Sequence, residues 1–205
     1  MSKNHSNYKR ERSPGRVNKV KSVLAHKQPG LTVVLENVHD PHNIMAVLRT
    51  CDAVGIYNVH IIESKKRTWD PKIGKNSSSG AKKWVFAQTY KNVDDCYAQL
   101  RSEDKNIYTT HMAKNSKSLY DLNLTQNVAL VFGNEHDGVT AEAVEKADGN
   151  FLIPQFGMIQ SLNISVACAV SLFEACRQRL ASGMYNQASF NDEQYNHLVE
   201  EWLMK

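Results

Sequence analysis

Short apolar runs alternate with segments of helical periodicity along most of this chain, and this alternation is the feature that most constrains its fold. The runs lie at 31–36, 58–62, 84–88, 106–110, 128–132 and 150–153, and the helical patterns between them lie at 42–54, 92–101 and 140–147. Nearly continuous apolar runs such as VALVF are typical of strands that are buried on both faces. The order of the elements therefore predicts an α/β fold with a mostly parallel sheet and helices on both faces.

Helices are also predicted at both ends of the 205-residue chain. A short helix precedes the first strand, a long helix rich in small residues covers 162–181, and a last helix covers 191–204. Asn191 and Gln194 have the spacing of a capping box at the start of the last helix. We divide the chain into a basic N-terminal arm and helix (1–30), a central α/β domain (31–182) and a C-terminal helical extension (183–205).

Positive charge is concentrated in two windows. Residues 1–28 hold eight Lys/Arg against Glu11, and residues 65–83 hold seven against Asp70, although the whole chain carries only +4. Concentrated Lys and Arg attract phosphate and produce salt-dependent binding. A mobile basic tail and a solvated loop are the alternative explanation, but Trp69 and Trp84 flank the second window and favour RNA.

Several classes of protein have no support in this sequence. No apolar run approaches the roughly 20 residues that span a bilayer, and the N-terminus lacks the apolar core of a secretory signal. The four cysteines have no metal-ligand spacing, and His39 and His42 lie in a turn with no third ligand in view. We therefore expect a cytoplasmic protein with reduced thiols, without a membrane partner and without a metal.

The first of three polar stretches follows the first strand. It leads into a helix that carries Asn43 in its first turn and Arg49 six residues later. Six residues advance about 600° around a helix, so the two side chains lie on different faces. Arg49 has apolar neighbours, so it either extends to solvent or to a salt bridge, or it is held in a polar pocket.

The second stretch, Gly133-Asn134-Glu135-His136-Asp137-Gly138, follows the buried run at 128–132. The carboxyl end of a strand is the usual place for a ligand loop in an α/β sheet. The stretch is neither a P-loop nor a zinc-protease motif. Glu135 is a candidate base, arginine partner or ribose-binding carboxylate, and the spacing does not choose among these roles.

The third stretch begins at Ile153-Pro154 and enters the long helix at Ser161-Leu162-Asn163. Ser161 is the predicted N-cap, which places Asn163 at the second helical position. Backbone N–H groups at such a helix start suit a carboxylate or a phosphate. No GxGxxG follows the first strand, so the usual dinucleotide-binding fold has no support.

Together the three stretches resemble the signature motifs of the SpoU branch of the SPOUT RNA methyltransferases. Asn43 to Arg49 resembles the first motif, 133–138 the second and 153–165 the third, in the family's order and spacing, and the resemblance covers roughly 31–180. It implies a deep trefoil knot in the C-terminal part of the domain 31–182, S-adenosylmethionine as the cofactor, and an active site completed across a homodimer.

Within the family, LAHKQPGLTVVLENVHDPHN and SSSGAKKW most resemble members that methylate the ribose 2′-OH of guanosine 18 in the D-loop of tRNA. The resemblance implies that Arg49 is catalytic and that Asn43, Glu135, Ser161 and Asn163 orient Arg49 and the ribose. It places the methyl donor against Thr110, Gly133, Ile153 and Leu162, and requires no metal. It also implies that the basic windows contact tRNA through Arg10, Arg12, Arg16, Lys19, Lys82 and Lys83.

Three questions stay open at this level. The motifs specify the chemistry better than the substrate. The alternative to guanosine 18 of tRNA is therefore a nucleotide of rRNA or another position in tRNA. The chain is alternatively a knotted RNA-binding protein without catalysis, although the joint presence of Asn43, Arg49 and Glu135 argues against this. Because a guanidinium normally stays protonated, the hydroxyl proton goes either to Arg49 or to an RNA phosphate that Arg49 positions.

Overall fold

The structure is a computed structural model that describes residues 13–64, 80–159 and 161–205. Its helices are α1 (Pro14–Ala25), α2 (Pro41–Ala53), α3 (Val93–Ser102), α4 (Ala141–Glu145), α5 (Ile164–Ala181) and α6 (Asp192–Met204). Its strands are β1 (Leu31–Glu36), β2 (Asn58–Ile62), β3 (Phe86–Tyr90), β4 (Asn106–Thr110), β5 (Lys117–Ser118), β6 (Val128–Phe132) and β7 (Gly149–Leu152). Short 3₁₀ turns lie at Ala81–Lys83 and Leu119–Asp121.

The seven strands form one sheet in the order β3-β2-β1-β6-β4-β7-β5, and every neighbouring pair is parallel. All residues of β1 and β6, near the middle of the sheet, are buried. The predicted α/β fold with a parallel sheet is therefore confirmed. Both long motif stretches that follow β6 and β7 leave the sheet at its carboxyl edge.

Two hydrophobic layers cover the faces of the sheet. One layer contains α2 and α5, which pack against each other and bury Leu48 and Leu172. The other contains α3 and α4, which bury Leu100 and Ala143. Burial on both faces explains why these strands are apolar runs rather than alternating patterns. Among the described residues, no helix is long and apolar enough to span a membrane.

The element boundaries correct the sequence predictions in three places. Strand β3 begins at Phe86 rather than at 84, because the backbone N–H of Trp84 is bonded to Ala81 in the preceding turn. Strand β5 was not predicted, since two residues are too few to make a pattern. The prediction that Ser161 caps the long helix is wrong: Asn163 is the N-cap of α5, and its side chain accepts from the backbone N–H of Ser165.

The N- and C-terminal helices form a separate hydrophobic cluster. Helix α1 packs on α6, and the cluster buries Val20, Leu24, Leu198, Val199 and Trp202. The capping box predicted from Asn191 and Gln194 is present at the start of α6. Trp84 packs on Trp202 with ring centroids 4.9 Å apart, so its aromatic ring serves this cluster rather than standing free beside the basic window.

Lys27 belongs to the first basic window but is fully buried beneath α6. Its Nζ donates to the backbone oxygen of Ile56 at 3.0 Å and to Asp52 at 3.3 Å, and lies 5.3 Å from the ring centre of Trp202. Burial lowers the pKa of Lys27, and Asp52 partly opposes this effect. This lysine therefore joins α6 to the end of α2 and is not part of an RNA-binding surface.

A buried histidine in β2 makes the stability of the fold sensitive to acid. Burial lowers the pKa of His60 to about 4, and its Nδ1 lies 2.9 Å from the hydroxyl of Tyr90. Between pH 6.5 and 4 the unfolded chain binds a proton at this residue that the folded chain does not bind. The free energy of unfolding therefore decreases as the pH is lowered. We expect a loss of about 3 kcal/mol across this window.

The prediction is checked by urea unfolding at intervals from pH 7.5 to pH 4. His60→Gln should flatten the decline below pH 6.5, whereas His42→Gln, at an exposed position of α2, should leave it unchanged. Equal declines in the wild type and in His60→Gln would show that the acid sensitivity arises elsewhere.

Candidate functional site

A large cavity lies at the carboxyl edge of the sheet, beyond β6, β4 and β7. Its volume is about 890 Å³. Two loops form its walls: residues 133–138, which follow β6 and are called here the glycine loop, and residues 153–159 with 161–163, called here the proline loop. The carboxyl edge of a parallel sheet is where ligands of α/β proteins bind. The volume lies within the usual range of small-molecule sites.

The glycine loop is closed on itself at its base. Asn134 and Gly138 exchange two backbone hydrogen bonds, of 3.2 and 3.1 Å, and the Asn134 side chain accepts from the backbone N–H groups of His136 and Asp137. A Cβ at Gly133 would lie only 1.9 Å from the backbone carbon of Gly138, so no other residue fits there. Gly138 has φ +69°, a conformation that favours glycine. The turn presents Glu135 at its tip.

Three motif residues meet at the rim of the cavity. Asn43 Nδ2 donates to Glu135 Oε1 at 2.6 Å, and Asn163 Nδ2 donates to Asn43 Oδ1 at 3.2 Å. Asn163 Oδ1 in turn accepts from the backbone and hydroxyl of Ser165 at 2.8 and 2.6 Å. The buried amide of Asn43 is therefore held between the glycine loop and the first turn of α5. This chain of bonds fixes one oxygen of the Glu135 carboxylate and leaves the carboxylate exposed.

Arg49 lies apart from this group. It is exposed on α2, on a different face from buried Asn43 and about 9 Å further along the helix axis. It makes no hydrogen bond or ion pair with the described part of the chain, and it does not line the cavity. Of the alternatives considered from the sequence, the structure favours a guanidinium that extends to solvent within a single copy of the chain.

The predicted cofactor residues and Ser161 surround the cavity. Thr110, at the end of β4, donates its hydroxyl to the backbone oxygen of Val131 at 3.1 Å. Gly133, Ile153, Leu162 and Ser161 line the walls formed by the two loops. Their roles toward a ligand stay predictions, but the structure brings these residues to one place. Sequence reasoning missed Asn134, whose signal was its position between Gly133 and Glu135 in a loop that had to turn back.

The lining of the cavity indicates the charge of its ligand. Among its described lining residues there is no lysine or arginine, while Glu135 supplies a carboxylate. A ligand with positive charge would find an attractive partner in this carboxylate. Apolar side chains of the proline loop stand beside the opening, and Phe156 is 98% exposed. The cavity thus suits a ligand of nucleoside size or larger that has apolar parts and a positive charge.

The described parts of the two basic windows lie near each other beside the terminal helix cluster. Lys19 of α1 lines the same small cleft as Trp84, which directly follows exposed Lys83 in the chain. Arg16 is half-buried one turn before Lys19 on α1. Arg10 and Arg12 lie outside the described residues, as does the side chain of Lys82. The described cations that were predicted to contact RNA therefore border one region of the surface.

Metal-ligating side chains do not cluster in the part of the chain that the structure describes. No group of three or more His, Cys, Asp or Glu residues is placed there to hold a metal ion. His42 is exposed at the start of α2, and His39 is half-buried in the turn before it.

Comparison with known proteins identifies the class. Residues 30–173 match the SpoU rRNA methylase family, which is more than half of the chain. The chain therefore belongs to this family, and the resemblance inferred from the three motifs is confirmed.

The chain is also similar to individual members of this family. The chain is 40% identical over 196 residues to the tRNA (guanosine(18)-2′-O)-methyltransferase of Thermus thermophilus, covering 96% of this chain and 100% of the relative. A crystal structure of the Aquifex aeolicus TrmH/SpoU tRNA modifying enzyme superposes with a TM-score of 0.83 at 35% identity, covering 93% of this chain and 95% of that one. An AdoMet-bound rRNA methyltransferase from Sinorhizobium meliloti matches at 28% identity with a TM-score of 0.65, covering 76% and 59%.

Proposed function

We propose that this protein transfers a methyl group from S-adenosylmethionine to the ribose 2′-OH of guanosine 18 in the D-loop of tRNA. The observation that carries the proposal is the bonded chain Asn163–Asn43–Glu135, which joins the three family motifs at the rim of one cavity. The 40% identity to the Thermus thermophilus enzyme, over its whole length, supports the choice of tRNA and of position 18.

The cavity fits S-adenosylmethionine by its chemistry. This molecule combines an adenosine group with a positively charged sulfonium, and when bound it supplies an electrophilic methyl group. The residues that would hold it are Thr110, Gly133, Ile153 and Leu162, which line the two walls and the floor. The absence of lysine and arginine from the described lining and the presence of Glu135 favour a cationic donor over a phosphorylated cofactor.

The residues at the rim prepare the hydroxyl for attack. A ribose hydroxyl is a poor nucleophile and must lose its proton, or be strongly polarised, as it reacts. Glu135 keeps one oxygen bonded to Asn43. Its other oxygen faces solvent, where it accepts a hydrogen bond from a hydroxyl of the ribose. Exposed Ser161 and Asn163 lie on the opposite wall and orient the sugar.

Arg49 enters this reaction from a second copy of the chain. Within one copy it lies outside the cavity, so we propose a homodimer in which each subunit's Arg49 contacts the ribose and adjacent phosphate bound by its partner. Helix α5 supports this arrangement, since Val166, Phe173 and Leu180 form an outward stripe at seven-residue spacing and are 47%, 56% and 59% exposed. A guanidinium beside hydroxyl and phosphate can hold both in place while the phosphate takes the proton.

The proposal includes the deep trefoil knot of the family, formed in the C-terminal part of the domain 31–182. Its support is that the glycine loop and the proline loop border the same cavity and that α5, which follows, packs on α2. We also propose that the protein acts in the cytoplasm. All four cysteines carry free thiols, as a reducing compartment favours.

The proposed function is tested by incubating the purified protein with a labelled methyl donor and tRNA that lacks 2′-O-methylation. The expected product is a single methylated ribose at guanosine 18, located by nuclease mapping. Ribosomal RNA and tRNA with guanosine 18 replaced serve as controls. Methylation of rRNA or of another tRNA position would overturn the substrate, and RNA binding without incorporation would favour the non-catalytic alternative.

Neutralising Lys82 and Lys83 together by alanine substitution should weaken tRNA binding. Each phosphate contact releases counterions, so the loss of two contacts should reduce the slope of log Kd against log salt by about 2. The measurement is a binding titration at several salt concentrations. Lys91→Ala with Lys146→Ala removes the same charge elsewhere and should leave the slope unchanged. Equal slopes for both double variants would move the RNA path away from this window.

A further inference from the structure

A fully buried carboxylate lies beneath the glycine loop and has no role in the reaction described above. Glu36 is the last residue of β1, and its side chain is 0% exposed. Its Oε2 accepts from the backbone N–H of Thr140 at 2.9 Å and its Oε1 accepts from the Thr140 hydroxyl at 2.5 Å. Thr140 is the residue on which the chain leaves the glycine loop and starts α4.

Capping of α4 does not explain this carboxylate. Thr140 is itself the N-cap, since its Oγ1 accepts from the backbone N–H of Ala143 at 3.3 Å. A buried carboxylate is costly unless its hydrogen bonds are satisfied, and a neutral residue would leave the cap of α4 in place. Glu36 instead adds a bidentate contact between the end of β1 and Thr140, the residue at which the chain leaves the glycine loop.

The same segment of chain holds the glycine loop at two places. Asn43 bonds Glu135 at the tip of the loop, and Glu36 bonds Thr140, two residues after the end of the loop. Between them, the two backbone bonds that join Asn134 to Gly138 make the loop one closed unit, so a shift of the chain at Thr140 is passed on to the turn that carries Glu135. The two contacts, both from 36–43, keep the carboxylate of Glu135 at one distance from Asn43.

We propose that Glu36 is a positioning residue that acts through Thr140 to hold Glu135 for methyl transfer. The inference rests on the proposed function for its kinetic consequence, but its structural part does not. Glu36→Gln leaves one acceptor oxygen for two donors, so Thr140 loses one contact while α4 keeps its cap. The loop should then populate orientations in which Glu135 is not bonded to Asn43.

The kinetic test compares methyl transfer by the full chain and by Glu36→Gln at saturating tRNA and donor. We expect kcat to fall about 10-fold or more, because small misplacements of a reacting group are costly, while KM for tRNA changes less than about 2-fold. In a Glu135→Gln background the same substitution should change kcat less than about 2-fold, since it acts through a carboxylate that is no longer there. If Glu36 had a purely structural role, Glu36→Gln would lower kcat by the same factor in both backgrounds.

The partner residue provides a second pair of variants. Thr140→Ser keeps both donors and the cap of α4 and should retain the wild-type kcat. Thr140→Val loses both the hydroxyl that bonds Glu36 and the cap of α4, so its kcat should fall at least as far as that of Glu36→Gln. Glu142→Gln removes a carboxylate from the exposed first turn of α4, where it bonds Lys146, and is the matched control. This control should behave as the wild type.

Amide hydrogen exchange measures the structural part without any reaction. In Glu36→Gln the amides of His136, Asp137 and Gly138 should exchange at least about 5-fold faster, with no change in the strands, because local opening of the loop becomes easier. Unchanged exchange in these amides, or a kcat loss that is equal with and without Glu135, would overturn the proposal. Faster exchange in a protein that methylates no RNA would instead refute the proposed function and retain the positioning contact.

Discussion

Replacing Arg49 with alanine is expected to reduce methyl transfer by at least about 100-fold, the usual cost of losing one donor that stabilises the reacting groups. The free energy of unfolding should stay unchanged, because Arg49 is exposed and makes no hydrogen bond or ion pair with the described residues. Binding of S-adenosylmethionine should also be retained, since Arg49 does not line the cavity. A large loss of rate without loss of stability or donor binding separates a role in the reaction from a role in the fold.

The measurement is methyl incorporation into unmodified tRNA, together with calorimetric titration of the donor and urea unfolding. Arg101→Ala removes a guanidinium from the exposed end of α3, where it donates to the backbone oxygen of Lys146, and should keep the wild-type rate. Turnover of Arg49→Ala within about 5-fold of the wild type would remove Arg49 from the mechanism.

Mixing two variants of strongly reduced activity tests whether Arg49 contributes to the active site of its partner subunit. If each site combines Arg49 of one subunit with Glu135 of the other, a heterodimer of Arg49→Ala and Glu135→Gln contains one intact site and one doubly impaired site. Co-refolded mixtures should then recover up to about one quarter of the wild-type activity, as random pairing of the subunits implies. No recovery in mixtures whose heterodimers are verified by mass spectrometry would overturn the shared site.

Arg179→Met is expected to lower the free energy of unfolding by about 3–5 kcal/mol, the scale for breaking a buried, charged hydrogen-bond network. Arg179 is 1% exposed on α5. Its guanidinium donates to four oxygens of other segments: Leu124 O at 2.9 Å, Gln126 O at 2.7 Å, Gly30 O at 3.1 Å and Gln28 Oε1 at 3.2 Å. Burial lowers its pKa to about 10, still far above neutral pH.

This arginine joins α5 to the turns that precede β1 and β6, so its loss leaves several carbonyl groups without a donor. Urea unfolding followed by circular dichroism gives the difference between Arg179→Met and the wild type. Arg101→Met changes an exposed arginine paired with exposed Asp148 and should cost less than about 1 kcal/mol. A cost of similar size for both variants would show that solvent replaces the lost contacts of Arg179.

Much of the fold followed from local patterns, and the misjudged parts have a common cause. The buried runs predicted β1 and β6 because continuous apolar sequence is visible without knowledge of any partner. Trp84 belongs to the apolar run at 84–88, but its backbone N–H bonds Ala81 and its ring packs on Trp202, a residue far away in sequence, so β3 begins after it. The burial of Lys27, which the sequence groups with the basic window, has the same origin, since it arises from distant residues such as Asp52, Ile56 and Trp202.

The candidate site divides in the same way. Spacing and the likeness to a family identify its motif residues. Helix geometry alone places Asn43 and Arg49 on different faces of α2. The cap of α5 was assigned to Ser161 because serine is a common N-cap, but the Asn163 side chain bonds Ser165 and Asn43 at once. The second of these bonds has no trace in the local sequence.

The amino-acid sequence alone determined the class of fold, the order of the motifs and the family, since each is encoded by residues close together along the chain. Only the tertiary structure decided that Asn43 contacts Glu135, 92 positions away, and Asn163, 120 positions away. It also decided that Arg49 faces outward and that Glu36 holds the base of the glycine loop. Such contacts depend on the order in which parallel strands pair, and local periodicity does not specify that order.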